Sequence, residues 1–213
     1  KIKKLVFSST CAVYDVNKKN IVSENDQILP KSVYGLTKYL SEKLIKNYSS
    51  IHNFNYAILR YFNVAGCDEQ NRTGFVKRGP LFNNIAKNLA KNKSEINIYG
   101  NKFPTIDGTA IRDYIFIEDL VNYHIDILKK IKNKSYLLNL GYGKGFSVNE
   151  VVNEFQKHHN KKIKKNYLQQ RKGEMSKIIS NNKKLKYLMG QKIPENILYK
   201  MVITSLNWAK KQK

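Results

Sequence analysis

Cysteine is almost missing from this 213-residue chain: Cys11 and Cys67 are its two copies. That excludes a disulfide framework and the paired-cysteine spacing of a zinc site, so both are expected as free, reduced thiols. Histidine is nearly as scarce, and His52, His124, His158 and His159 have no ligand spacing with acids or cysteines, so no metal is assigned. No apolar run approaches the roughly 20 residues needed to span a bilayer. Nor is there a secretory signal, which makes the cytoplasm the expected location and leaves no membrane partner. Four prolines and 11 glycines form no linker, repeat or low-complexity tract. What remains is 41% apolar and 11% aromatic, too rich for general disorder and enough for one compact body with two lobes.

Acidic residues are also short: 16 Asp and Glu against 39 Lys and Arg leave a net charge of +23. Such an excess suits nucleic acid or an anionic membrane surface. The basic residues are dispersed, however, and Lys, Asn and Ile abound throughout, as A- and T-rich codons would give. The one dense cluster, Lys157, Lys161, Lys162, Lys164 and Lys165, falls on a helix end and a loop. A solvated face is the preferred reading, with no specific nucleic-acid partner; the charge still favours anionic small ligands.

Hydrophobic periodicity gives an α/β order. Strands are expected at 2–8, 56–62, 96–99 and 136–140, and helices at 33–49, 81–91, 117–131, 147–158 and 195–210. Helix 33–49 carries Leu36, Leu40, Leu44 and Tyr48 in one row, with Tyr34 and Lys38 on the opposite side. The glycines Gly141, Gly143 and Gly145 follow a strand, but Phe146 stands where a dinucleotide fingerprint needs its third glycine. They are expected instead to make a tight strand-to-helix turn, with Ser147 and Glu150 as a capping box.

The chemically informative pair is Tyr34 and Lys38, a phenol and an ammonium four residues apart on one helix face. Upstream, Leu5-Val6-Phe7 runs into the hydroxyls of Ser8, Ser9 and Thr10; downstream, Ala57-Ile58-Leu59-Arg60-Tyr61-Phe62-Asn63 is a second strand entering a polar turn. Hydroxyl, phenol and ammonium are thereby brought to one sheet edge. A phenol ordinarily titrates near 10, so its use as a base near neutrality needs nearby positive charge, which Lys38 would supply.

Phe7-Ser8-Ser9-Thr10-Cys11-Ala12-Val13-Tyr14, Tyr34-Gly35-Leu36-Thr37-Lys38, Arg60-Tyr61-Phe62-Asn63-Val64-Ala65-Gly66 and the stretch Phe103 to Ile115 follow one another as in the UDP-glucose 4-epimerases. The chain resembles that family of extended short-chain dehydrogenase/reductases through Asn139-Leu140-Gly141 and over nearly all its length. The resemblance implies an incomplete Rossmann-type doubly wound parallel sheet with a smaller mixed α/β C-terminal substrate lobe. The Rossmann part would be 1–63, with 115–142 returning to it, and the UDP-sugar lobe 64–213. It implies Tyr34, Lys38 and Thr10 as catalytic residues, and Lys38, Tyr34, Ser8, Ser9 and Tyr61 as NAD contacts. For the UDP-sugar it implies Thr10, Asn63, Leu81, Tyr99, Arg112, Arg171 and Glu174. Hydride would leave the sugar for NAD and return to its other face through a 4-keto intermediate.

These enzymes open with a glycine-rich turn whose helix holds the pyrophosphate of NAD, and nothing like it precedes Lys1. The chain therefore reads as a fragment, inactive without a separate N-terminal half and prone to aggregate; a homodimer through helix 33–49 is the family's expected assembly. Departures from the pattern include Asp15 for a glycine, Val33 for a proline before Tyr34, Glu174 for an aspartate, and Asn83-Asn84 a few places from the uracil-binding asparagine. The alternatives are an epimerase or dehydratase for another nucleotide sugar, such as an N-acetylhexosamine, or a non-catalytic basic binding protein.

Overall fold

The computed structural model describes residues 2–14, 19–76, 79–190 and 192–212; Lys1 and Asp15 lie outside them. The first layer is a parallel sheet of β1 (Lys4–Thr10), β3 (Asn55–Tyr61) and β7 (Tyr136–Leu140), in the order β1-β3-β7. Register pairs Ser8 with Leu59, Ser9 with Arg60 and Thr10 with Tyr61. Parallel strands need crossovers, supplied by α1 (Val33–His52) and α3 (Ile117–Lys130). Helix α1 starts where Ser32 accepts a hydrogen bond from the Gly35 N–H at 3.0 Å, and stops at the left-handed Asn53.

A second sheet joins β2 (Ile21–Val22), β10 (Lys177–Ser180), β6 (Ile111–Phe116) and β4 (Asn63–Ala65), with β8 (Gly145–Ser147) antiparallel to β6. The remaining strands, β5 (Glu95–Tyr99) and β9 (Lys164–Leu168), form a parallel pair. Helices α2 (Leu81–Ala90), α4 (Val148–His159), α5 (Lys183–Met189) and α6 (Ile197–Lys211) complete the chain. One continuous core runs from Leu59, Leu138 and Leu140 of the first sheet to Phe82 of α2, Phe155 of α4 and Met201 of α6.

Every strand and helix expected from periodicity is present, within two residues at most ends and three at the end of α1. The short pieces β2, β4, β8, β9, β10 and α5 are additions to that reading. One expectation is corrected in detail: the glycines 141–145 lead into β8 before α4 begins. A Cβ on Gly145 would meet Ile111 Cγ2 at 2.5 Å, so glycine there lets the chain lie flat on β6. The capping box is as expected, with Ser147 Oγ accepting from Glu150 N at 3.0 Å and Glu150 Oε2 accepting from Ser147 N at 2.6 Å. Cys11 and Cys67 are free. Leu36, Leu40, Leu44 and Tyr48 of α1 are exposed, as are Val121, Ile125 and Leu128 of α3. No helix among the described residues is long and apolar enough to cross a membrane.

Candidate functional site

The period of two in β1 turns Ser8 and Thr10 to one face and Ser9 to the other. Helix α1 packs beside the strand so that Lys38 Nζ donates to the Ser8 carbonyl at 3.0 Å and stands 5.9 Å from the centre of the Tyr34 ring. The Tyr61 hydroxyl donates to Ser8 Oγ at 2.5 Å and also meets His124 Nε2, while His124 Nδ1 lies 2.7 Å from the Leu120 carbonyl. Burial pushes the Tyr61 phenol upward, the Ser8 hydrogen bond opposes this, and the neighbouring Tyr34 adds to the rise. Tyr34, Lys38, Ser8 and Tyr61 therefore meet at the C-terminal edge of the parallel sheet.

Two of the hydroxyls have other duties. Thr10 is nearly buried and its Oγ1 accepts from Ala12 N at 3.2 Å, capping a 3-10 turn over Cys11–Val13. Ser9 does not face this edge: it is buried and donates to Glu42 Oε1 at 2.5 Å, so its side chain is spent within the protein. The edge suits the ribose hydroxyls of a nicotinamide nucleotide. Three N–H donors belong to the Lys38 ammonium, the Ser8 carbonyl takes one, and Ser8 and the phenols can donate or accept.

Behind the edge lies a buried polar network absent from the sequence reading. Arg60 clasps Glu42 with Nε to Oε1 at 2.9 Å and Nη2 to Oε2 at 2.6 Å, both side chains being almost fully enclosed. Its Nη1 donates to the Tyr14 hydroxyl at 3.0 Å, which donates to Asn139 Oδ1 at 2.5 Å. Asn139 Nδ2 ends the run on the Val22 carbonyl at 3.0 Å. Burial is the largest single influence on Arg60 and works against its charge, but the Glu42 hydrogen bonds together with the charge and hydrogen-bond contributions of Tyr14 and Glu42 raise the pKa; burial pushes the Tyr14 phenol upward. A charged residue in the apolar run Ala57-Ile58-Leu59-Arg60 was the one available signal.

The other predicted residues converge on a cavity of about 860 Å³ beside the second sheet. Asn63, Leu81, Tyr99, Arg112, Arg171 and Glu174 all line it, although they come from β4, α2, β5, β6 and a loop. Arg171 lies over the Tyr99 ring at 3.9 Å from its centre, within cation–π range. Arg112 Nη2 stands 3.4 Å from Glu174 Oε1 and its Nη1 donates to the Ile111 carbonyl at 2.9 Å. Arg112 is thus the partner of neither Asp113 nor Asp119. Asp113 is buried under Ser180 and the N–H groups of Tyr142 and Gly143, and Asp119 accepts from the Tyr142 hydroxyl.

Glu174 Oε2 is buried with no hydrogen-bond partner. An enclosed acceptor of that kind costs about 1–3 kcal/mol and suits a ligand hydroxyl, which an aspartate one methylene shorter would reach less far. Lys87 and Lys91 add positive charge to the lining, and Asn84 and Asn88 add amides; none of these four was selected from sequence as a ligand contact. Asn83, by contrast, is buried. A second cavity, of about 550 Å³, shares Glu174 but holds none of the other predicted residues. Among the described residues no group of three His, Cys, Asp or Glu could hold a metal ion.

The cavity and the Tyr34 edge adjoin through the backbone. Tyr61 belongs to the edge and Asn63 to the cavity, and two residues of extended chain span about 7 Å.

Comparison with known proteins gives this arrangement a lineage. A UDP-glucose 4-epimerase of Azospirillum brasilense is 32% identical over 213 residues, covering 97% of this chain and 61% of that protein. The putative UDP-arabinose 4-epimerase 2 of Arabidopsis thaliana is 35% identical over 195 residues, covering 87% and 46% respectively. The crystal structure of a UDP-glucose 4-epimerase from Stenotrophomonas maltophila, with bound NAD and formylated UDP-arabinopyranose, superposes with a TM-score of 0.92 at 28% identity, over 99% of this chain and 64% of that one. The chain thus spans less than two thirds of the length of these relatives. Residues 1–141 match the NAD dependent epimerase/dehydratase family, and to that family the chain belongs.

Proposed function

We propose that this chain carries the acid–base edge and nucleotide-sugar pocket of an NAD-dependent UDP-glucose 4-epimerase, interconverting UDP-glucose and UDP-galactose. The observation that carries the reading is the cavity: six residues chosen for a UDP-sugar, scattered from Asn63 to Glu174, line one space. Tyr99 offers a flat face to uracil, Arg112 and Arg171 offer planar forks to the diphosphate, and Glu174 Oε2 an acceptor for a ribose hydroxyl. Tyr34 takes the proton of the sugar 4-hydroxyl and later returns it. Lys38 holds positive charge one helical turn away, and Thr10 helps to orient the same oxygen. NAD, when bound, supplies a hydride acceptor and donor; Lys38, Ser8, Tyr61 and the Tyr34 hydroxyl hold its ribose. The division into a Rossmann part (1–63 with 115–142) and a substrate lobe (64–213) and pairing of two copies through the exposed row of α1 belong to the same reading.

The pocket is tested first by calorimetry with UDP on the chain itself. Arg112→Ala is expected to weaken binding by about tenfold to a hundredfold, the worth of a hydrogen bond to a charged partner, while Tyr34→Phe leaves it unchanged. Equal affinities for wild type and Arg112→Ala would remove the pocket assignment. The reaction is tested by joining the chain to a matching Rossmann half: UDP-glucose should then be converted to UDP-galactose, and Tyr34→Phe should abolish the conversion. The likeness to a UDP-arabinose 4-epimerase favours one second reading, a pentose substrate. NMR of the products from UDP-glucose, UDP-arabinose and an N-acetylhexosamine nucleotide decides between them.

A further inference from the structure

Tyr34, Lys38 and Glu42 stand at i, i+4 and i+8 of α1 and so form one row. Along it Tyr34 is exposed, Lys38 reaches the Ser8 carbonyl, and Glu42 is wholly buried against the sheet. Glu42 is the one residue of the row with every contact directed inward. Its carboxylate accepts from Ser9 Oγ of β1 and from Nε and Nη2 of Arg60 on β3. Ser9 and Arg60 are themselves paired in the sheet register, so one carboxylate ties the helix to two adjacent strands at the same level.

A two-pronged guanidinium–carboxylate contact fixes direction as well as distance, because both N–H bonds must lie in one plane. Apolar side chains of equal volume would hold α1 as firmly but would let it rotate or slide. The neighbouring backbone group on the same strand, the Ser8 carbonyl, receives Lys38 one turn up the helix. We infer that Glu42 is a positioning residue: through Arg60 and Ser9 it sets the rotation and height of α1, and thereby the placing of Lys38 and Tyr34 at the sheet edge. The inference rests on the assignment of Tyr34 and Lys38 as the acid–base pair, yet its test uses neither turnover nor NAD.

The test measures site-resolved acylation of Lys38 relative to Lys43 on the same helix, by peptide mass mapping of the chain. In E42L/R60M the ion pair is exchanged for apolar volume without stranding a charge. The variant is expected to keep a cooperative thermal transition and to bind UDP within about twofold of wild type, since the cavity shares no partner with the clamp. Its Lys38/Lys43 ratio is expected to rise about fivefold, as loss of one hydrogen bond would give, and the Lys38 Nζ NMR signal to lose its protection from exchange. A folded variant with the wild-type ratio overturns the inference. If E42L/R60M does not fold, S9A decides: it keeps the ion pair and removes one of three bonds, so the ratio should rise about twofold, and an unchanged ratio overturns the inference equally. Failure of Tyr34→Phe to abolish turnover would strike the functional reading and leave this result standing.

Discussion

The cavity and the Tyr34 edge are built on opposite plans. In the cavity the lining groups hold one another: Arg171 rests on Tyr99 and Arg112 on Glu174. At the edge Tyr34 stands exposed and Lys38 half-buried, and what secures them is the enclosed Glu42–Arg60 clamp on the inner side of the same helix. Groups that hold one another keep their places through local contacts alone, whereas side chains at a helix surface keep theirs only as the helix is seated.

Four substitutions or conditions test that contrast, in falling order of effect. Glu42→Ala leaves Arg60 buried without its carboxylate and should cost about 3–5 kcal/mol, read by urea denaturation. If the loss is below 1 kcal/mol on the order expected for a surface pair, the clamp does not seat α1. Gly35→Ala attacks the other end of the helix, where a Cβ would come within 2.4 Å of the Ala12 carbonyl, a backbone atom that cannot swing away. A loss of about 1–3 kcal/mol is expected, with UDP affinity retained; weakened UDP binding would show that seating of α1 also shapes the cavity.

Ser147→Ala removes the capping box of α4, which helps wall the cavity, and should cost about 1 kcal/mol in thermal unfolding. Smallest is an acid effect remote from both regions. Hydrogen bonds from the Arg72 side chain and N–H hold the Asp68 carboxyl down at about 2. Its folded value lies below that of an unfolded aspartate, near 3.9, so its stabilising effect is present above about pH 4 and disappears as pH falls towards 2. Asp68→Asn should lower stability at pH 7, with the difference from wild type shrinking as pH falls towards 2, which flattens the profile in that window; an identical acid limb in both proteins would refute it.

Sequence reached further into the cavity than into the scaffold of the edge. Tyr99, Arg112, Arg171 and Glu174 came from the resemblance to the epimerases rather than from any pattern in the chain itself, and all four line the cavity. Glu42 was not legible, since a glutamate eight places after Tyr34 looks like any charge on a helix; Arg60 betrayed itself only by standing in an apolar strand. Lys87, Asn88 and Lys91 were not selected, and Asn84 was noted only as displaced from the family's asparagine, because the direction of these side chains depends on how α2 is rotated over β5, which no local pattern encodes.

The long elements were decided by the sequence itself, for a period of 3.6 or 2 sustained over several turns or residues leaves one face to bury. Pairing was decided by the tertiary structure. Ser8 and Ser9 are adjacent and identical, yet the pleat of β1 sends one towards Tyr61 and the other into Glu42. Arg112 found Glu174 rather than the adjacent Asp113, because Asp113 points into the protein against Ser180 and the N–H groups of Tyr142 and Gly143, while β6 presents Arg112 to the cavity. Hydrogen bonds and ion pairs between distant segments are selected by geometry, and geometry exists only once the sheets have closed on their common core.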